Sequence, residues 1–303
     1  MKRILWLIII NVFVIIILSL TAPNFLTKNN LIVIVDNMAL EAIALSGYVL
    51  LLVSGNFDLS IDGVVALCGV TAGLLMNSGV HWIIATVLSL TLSIVIGTIN
   101  GITVAKLGIN GLIATLTTWW ICIGITFGMT KAIAPYGFPD AFQWLGQARV
   151  FGFRTVGIYA TIIAIISAIV LDRTKLGAHI YAIGDNEEAS KMMGVDVIGT
   201  KIKMYVLVGL LAGIIGIMIT SKLNAASPMA VDGMALRVIA ASVIGGANLS
   251  GGRGSVIGGL LGLCLMSILS NAIIQLGISP YYQKAILGGI LLMAVLVERS
   301  RRL

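Results

Sequence analysis

The chain has 303 residues, of which 59% are hydrophobic and 10% are charged, and its formal net charge is +7 at neutral pH. Soluble domains carry roughly 45–50% apolar and about 25% charged residues, so this composition excludes a water-exposed globular fold. The excess apolar surface has to face lipid, and we interpret the positive charge as an orientation signal rather than as a nucleic-acid interface.

Ten apolar stretches predict an all-α polytopic membrane protein, because a span needs about 20 mostly apolar residues. In chain order they are Ile4–Leu20, Leu31–Val53, Gly63–Met76, Trp82–Val104, Leu112–Met129, Val156–Leu171, Ile202–Thr220, Leu236–Gly245, Val256–Ile274 and Ala285–Val297. The eighth is too short to span, and a short glycine-flanked segment is typical of a re-entrant or broken helix. We therefore expect about ten transmembrane or re-entrant helices in a single domain, residues 1–303.

The first stretch follows Met1-Lys2-Arg3 and therefore resembles a secretion signal. Its apolar run is longer than a typical signal core and no small-x-small cleavage site follows it, so we expect a retained span with a cytoplasmic N-terminus. With alternating crossings, the inner segments hold twelve Lys and Arg residues and the outer segments hold six. This bias predicts that both termini lie on the inner, cytoplasmic side of the membrane.

The sequence shows no motif that combines a nucleophile, a base or metal ligands into a catalytic site. Cys68, Cys122 and Cys264 are widely spaced in apolar stretches, which indicates neither a disulfide nor a metal site. The glycine-rich turn 245–255 lacks the Lys-Ser/Thr ending of a phosphate-binding P-loop. We therefore expect a protein that is not an enzyme and that holds no cofactor or metal of its own.

Polar residues within apolar stretches are candidates for a pathway, because they are costly in lipid and usually functional. Asp36, Asn37 and Glu41 share a helical spacing in the second stretch. They line a pathway, pair with Arg237, or lie in the membrane interface, where such residues cost little.

The polar break between the second and third stretches contains three residues that can hold a helix N-terminus. Asp58 or Ser60 is expected to cap the third helix, with Asp62 in its first turn.

We select five residues of the chain as candidates for a pathway or gate: Asp58, Asn100, Trp119, Arg237 and Asn248.

Residues 172–203 are the most polar part of the chain, and we predict an inner loop with one short helix. Asp185 or Asn186 caps this helix, two acids follow in its first turn, and Gly194 ends it. Two methionines on such a helix favour a docking surface over a plain solvated connection. The docking element comprises Gly184, Asp185, Asn186, Glu187, Glu188, Ala189, Met192, Met193 and Gly194.

Seven motifs occur in order along nearly the whole chain: Gly55–Ser60, Gly97–Gly101, Ile113–Leu116, Tyr181–Ala189 with Gly194, Ile239–Gly246, Gly251–Gly254 and Tyr282-Gln283. Together they resemble the ribose-type permease subunits of bacterial ABC importers. The resemblance departs at three places. That family often has Gly where Asp62 stands, Glu-Leu-Asp where Ala235-Leu236-Arg237 stands, and a Gly-Gly-Thr-Ser turn where Gly245-Gly246-Ala247-Asn248 stands. An arginine in place of an acid favours an anionic or unusual sugar.

The resemblance implies that a channel-forming permease moves a small sugar or sugar-like solute inward, powered by ATP and Mg on a separate ATPase subunit. The 184–194 segment would couple to that ATPase subunit. A periplasmic or lipid-anchored substrate-binding protein and a second permease chain, identical or homologous, complete the assembly within the lipid bilayer. The alternative is a self-sufficient secondary transporter or channel, in which Asp36, Glu41 and Arg237 relay ions.

Overall fold

The computed structural model describes residues 2–22, 24–150, 152–277, 282, 285, 286, 288 and 289. Within them the chain forms twelve helices and one two-stranded antiparallel hairpin. The elements are α1 (Lys2–Thr21), α2 (Lys28–Val53), α3 (Ile61–Asn77), α4 (Trp82–Ala105), α5 (Gly111–Thr130), α6 (Asp140–Gln147), β1 (Arg149–Val150), β2 (Phe153–Arg154), α7 (Thr155–Arg173), α8 (Lys175–Asp185), α9 (Glu187–Met192), α10 (Val197–Leu223), α11 (Met234–Ile244) and α12 (Val256–Gln275).

The fold is that of a helical multi-pass membrane protein. Seven of the described helices are long and apolar enough to cross a bilayer: α1, α2, α4, α5, α7, α10 and α12. Helices α3 and α11 are apolar but shorter, and they coincide with the third and eighth predicted stretches. The tenth predicted stretch, Ala285–Val297, lies mostly outside the described residues. The described residues thus hold seven candidate spans, fewer than the ten or so predicted.

Helix α2 lies at the centre of the protein. Its residues 42–53 are buried without interruption, as expected of a helix that is apolar on every side and surrounded by others. Neighbouring helices α4 and α10 pack backbone to backbone, since a Cβ on Gly209 would lie only 3.0 Å from the Cα of Gly97. Small residues at a crossing are the usual means of close helix packing in membranes.

The polar segment 172–203 is mostly helical, so the prediction of a loop with one short helix was wrong. Helix α8 precedes α9, and α10 begins at Val197. Thr174 caps α8 by accepting a hydrogen bond from the backbone N–H of Gly177. The α8 residues Ile180 and Ile183 are buried, so an apolar stripe binds this otherwise polar helix to the core.

The segment 130–155 forms a folded layer against α3 and α10. Phe138 and Phe142 are buried among apolar residues of those helices, and their rings meet edge to face with centroids 5.7 Å apart. Ser221 of α10 donates a hydrogen bond to the carbonyl of Phe142 and accepts one from the N–H of Gly146. The segment is therefore fixed to one end of α10.

Candidate functional site

A buried chain of polar side chains connects the segment before α3 to α4 and α5. Asp58 accepts hydrogen bonds from the backbone N–H and the hydroxyl of Ser60. Asn100 of α4 donates to the Ser60 hydroxyl at 2.9 Å, and Thr118 of α5 donates to Asn100 at 2.6 Å. Ser60 occupies the N-cap position of α3, as expected, but its side chain makes no cap hydrogen bond. The hydroxyl is instead engaged by its two polar neighbours.

The same segment is held by two further contacts that sequence reasoning missed. The Tyr205 hydroxyl of α10 donates a 2.8 Å hydrogen bond to the carbonyl of Phe57. The backbone N–H of Leu59 donates a 2.9 Å hydrogen bond to Thr115 of α5. Because non-helical backbone at membrane depth needs internal partners, these contacts allow the break between α2 and α3 to be buried. Three of the sequence motifs therefore converge here.

Asp62 lies in the first turn of α3, as predicted, but it caps a different helix. Its carboxylate accepts hydrogen bonds from the backbone N–H groups of Gly233 at 2.8 Å and Ala235 at 2.9 Å. These two amides belong to the N-terminus of α11, where the first backbone donors have no partner within the helix. A negative group there is also favoured by the helix dipole. The short helix α11 is thus fixed to α3 inside the protein.

An ion pair joins α2 to α11. Glu41 Oε1 accepts a 2.7 Å hydrogen bond from Arg237 Nε, and the side chains are 16% and 27% exposed. Arg237 Nη1 also donates to the carbonyl of Asp232 at 3.2 Å. Pairing with Arg237, one of the interpretations left open by the sequence, is therefore confirmed for Glu41. Asp36 instead lies 2.9 Å from Arg154 Nε, in an ion pair without hydrogen-bond geometry.

This ion pair lies in the wall of a cleft between α2, α10, α11 and α12, with a volume of about 560 Å³. The charged residues of its lining are Glu41, Lys222, Asp232 and Arg237, and the uncharged polar ones are Asn37, Ser267, Ser270 and Asn271. Sequence reasoning missed Lys222 and Asn271. The amide of Asn271 exchanges hydrogen bonds with Asn30 of α2. The available signal in the sequence was the polar Asn271 within the apolar stretch Val256–Ile274.

Glycines from three separate motifs meet where α8 ends. The backbone N–H of Gly252 donates a 2.8 Å hydrogen bond to the carbonyl of Val53, the last residue of α2. A Cβ on Gly251 would lie 2.8 Å from both the carbonyl oxygen of Gly184 and the nitrogen of Gly55. Such backbone approaches leave no room for side chains. The start of the predicted docking element is therefore in direct contact with the end of the central helix.

The five candidate pathway residues do not form a single site. Asp58 and Asn100 share the buried polar chain, whereas Arg237 lines the cleft. Asn248 shapes the glycine-rich turn by accepting a hydrogen bond from the N–H of Ser250. Trp119 packs against Gly63 of α3, where a Cβ would lie 2.9 Å from the Trp119 carbonyl. A pathway role for each of them stays a prediction.

Helix α9 has the caps that the sequence predicts. Asn186 accepts a 3.0 Å hydrogen bond from the N–H of Ala189, and Gly194 follows the helix with φ of +81°. Met192 is 90% exposed and Met193 is 71% exposed. The result is a short helix, capped at both ends, that exposes two long apolar side chains.

Charged contacts attach α9 to α10. Glu187 pairs with Lys201 at 2.6 Å and with Lys191 at 3.1 Å. The hydrogen bond from Lys201 holds the pKa of the Glu187 carboxyl below its ordinary value. The Glu187 carboxylate is therefore charged at neutral pH, and the stabilisation from this pair is lost only as the pH falls through that lowered pKa.

Residues 29–295 match the model of a family described as "Branched-chain amino acid transport system / permease component". The chain is 36% identical over 291 residues to the ribose import permease of Escherichia coli (strain K12), covering 94% of this chain and 90% of the relative. It is 33% identical to the ribose import permease of Bacillus subtilis (strain 168), covering 95% and 90%. Identity to the L-arabinose transport system permease of Escherichia coli (strain K12) is 34%, covering 94% and 87%. No solved structure matches the chain.

The matched residues include most of the central helix α2, the buried chain of polar side chains, the cleft and the capped helix α9. The identities to these relatives exceed 30% over most of both chains. The chain belongs to this permease-component family of transport systems, within its group of ribose-type ABC permeases.

Proposed function

We propose that this chain is the channel-forming permease subunit of a bacterial ABC importer that moves a small sugar or sugar-like solute inward. ATP hydrolysis on a separate subunit, which holds the ATP and Mg, powers the movement, and this chain carries out no enzymatic reaction. The observation that carries the proposal is α9. It is capped at both ends, exposes Met192 and Met193, and is attached to the core through Gly184.

In this proposal α9 docks on the ATPase subunit, with Gly184, Asp185, Asn186, Glu187, Glu188, Ala189, Met192, Met193 and Gly194 as the coupling element. The apolar methionine side chains suit an adaptable protein contact. Rotation of α9 is transmitted to α2 and to the 245–255 turn, because Gly184 contacts the backbone of both. A substrate-binding protein and a second permease chain complete the importer.

The proposed placement has both termini in the cytoplasm of a cell with this chain in its plasma (inner) membrane. Residues 1–303 act as one permease domain of ten helical segments, in which α3 and α11 cover only part of the membrane depth. Hydrogen bonds to Asp62 support this view, because a helix can begin at membrane depth only if its first N–H groups are satisfied by protein.

We place the entrance of the pathway at the cleft between α2, α10, α11 and α12. Arg237 is the candidate pathway residue that lines it. The cleft continues towards the N-terminus of α11, which is held by Asp62. Asp62 closely follows Asp58 in the chain, and Asp58 belongs to the buried chain of polar side chains that includes Asn100. Polar residues inside a helix bundle commonly mark such a route.

The cleft lining favours a hydroxyl-bearing solute over an amino acid. Hydroxyl and amide groups from Asn37, Ser267 and Ser270 can donate and accept hydrogen bonds, as a sugar requires. A free amino acid would need an unengaged cation for its carboxylate, but Arg237 is already bound to Glu41 and to a backbone carbonyl. The names of the ribose and arabinose relatives agree with this choice.

Reconstitution in liposomes tests the proposed function. The purified chain alone is expected to move no ribose or arabinose, whereas the chain assembled with its ATPase and loaded binding protein is expected to take up sugar only with MgATP. The physical reason is that α9 receives the work of hydrolysis from outside the chain. Uptake by the chain alone, driven by an ion gradient, would instead establish a secondary transporter.

The capping residue of α9 gives a matched pair of variants for the coupling role. Asn186→Ala removes the acceptor for the Ala189 N–H and costs the helix about 1 kcal/mol, so we expect it to weaken docking and reduce uptake per ATP hydrolysed severalfold. Asn186→Asp retains the cap and should keep the ratio near that of the unaltered chain. Equal uptake-to-hydrolysis ratios for the two variants, measured in liposomes, would contradict the coupling assignment.

A further inference from the structure

The charges that line the cleft cancel. Glu41 and Asp232 are its acidic residues, and Lys222 and Arg237 are its basic residues, so the formal charge of the lining is zero. The cations are also engaged individually. Lys222 Nζ lies 3.4 Å from the carbonyl oxygen of Asp36, and Arg237 donates to Glu41 and to the Asp232 carbonyl. An anionic solute would therefore find, in the described lining, no cation that is not already bound to an acceptor oxygen.

Of these charged residues, Glu41 of α2 and Arg237 of α11 form an ion pair in the wall of the cleft. Both side chains are only partly exposed, so water screens them less than it screens surface charges. Removing one partner would leave the other as an uncompensated charge beside the pathway. In a largely water-filled cleft, a unit charge about 4 Å away changes the local concentration of an ion by roughly tenfold.

We propose that the Glu41–Arg237 pair determines the charge specificity of the pathway, admitting uncharged, hydroxyl-bearing solutes and discriminating against sugar acids and other ions. This inference rests on the proposed function, because it takes the cleft as part of the route. It also replaces the sequence-based expectation that Arg237 favours an anionic sugar. Arg237 is a neutralised cation held by an acid 196 positions away in the chain.

A thiol in the cleft measures the local potential without any solute. Ser270, part of the lining, is changed to cysteine in an assembled transporter whose Cys68, Cys122 and Cys264 are replaced by alanine. The rates of modification by anionic and cationic methanethiosulfonate reagents are then compared. We expect a ratio near that of a free thiol with the pair intact. The two rates should move in opposite directions by about tenfold each. Glu41→Gln should therefore raise the anionic-to-cationic ratio about a hundredfold, and Arg237→Gln should lower it about a hundredfold.

Two controls make the result specific to the pair. The parent is the Ser270→Cys transporter with Glu41 and Arg237 intact. In the double variant Glu41→Gln with Arg237→Gln, the anionic-to-cationic rate ratio should return to the parent's value, because both charges are gone. Asp140→Asn removes an exposed acid of α6 outside the cleft lining and should leave the ratio unchanged. Ratios that differ less than twofold between the parent and both single variants would overturn the proposal.

An uptake assay tests whether the electrostatic potential in the cleft affects which solutes compete for transport. In the assembled importer, arabinonate should inhibit arabinose uptake weakly when the pair is intact and about tenfold more strongly with Glu41→Gln. Unchanged inhibition would overturn the specificity role. An unaltered assembly that takes up no sugar with MgATP would contradict the proposed function, whereas the thiol measurement is independent of that result.

Discussion

Gly184→Ala is expected to abolish ATP-driven uptake and to reduce the yield of folded chain severalfold. A Cβ at this position would overlap the carbonyl oxygen of Val53 and lie 2.5 Å from the nitrogen of Gly252. Both neighbours are backbone atoms joined by the Gly252–Val53 hydrogen bond, so no side-chain movement can relieve the overlap. The contact between α8 and the end of α2 has to separate, and overpacking of this kind typically costs about 1–3 kcal/mol or more.

Gly157→Ala is the matched control for this substitution. Gly157 also lies in a helix, but a Cβ there would have nothing within 4 Å. Alanine is the better helix former by about 1 kcal/mol, so this variant should fold and transport like the unaltered chain. Size-exclusion profiles in detergent and sugar uptake in liposomes measure both effects. Full uptake by the Gly184→Ala importer would contradict the proposed route of transmission from α9 to the core.

Asp62→Ala is expected to cause the second large effect, a loss of stability and of uptake through release of α11. The substitution leaves the backbone N–H groups of Gly233 and Ala235 without their acceptor. A buried donor without a partner costs roughly 1–3 kcal/mol, so the two together cost about 2–6 kcal/mol. Thermal unfolding in detergent should shift to clearly lower temperature.

Asp62→Asn tests the same contact with the side-chain shape conserved. Its single carbonyl oxygen can accept from one of the two N–H groups, while its amide nitrogen faces the other donor. The expected midpoint of thermal unfolding is therefore intermediate between those of Asp62→Ala and the unaltered chain. If Asp62→Ala unfolds at the same temperature as the unaltered chain, then Asp62 does not hold the N-terminus of α11.

Features that depend on near neighbours could be predicted from the sequence. Hydropathy over about 20 residues identifies a lipid-facing helix, and six of the seven candidate spans end within a few residues of the predicted stretches. The α9 cap depends on Asn186 and Ala189, which are three residues apart. The exception, α10, begins at Val197 because Asp196 caps it by accepting from Gly199, a signal that the apolar count ignores.

The partners of Asp62 and Glu41 required the tertiary structure. Asp62 was placed correctly in the first turn of α3, but the amide of Gly233 that it holds is 171 positions away. Local rules assign a carboxylate to its own helix, because they contain no term for a second helix that begins nearby in space. Helix α8 was missed for a related reason, since its buried Ile180 and Ile183 are few and its other residues read as a loop.

Composition and local pattern thus determined by themselves that this chain is a helical membrane protein with a capped helix at α9. These properties follow from transfer of apolar residues to lipid and from hydrogen bonds between residues a few positions apart. Only the tertiary structure decided that Glu41 neutralises Arg237, that Asp62 holds α11, and that Gly55, Gly184 and Gly251 meet. Such contacts depend on how helices far apart in the chain pack, and packing is set by the whole set of side chains rather than by any one segment.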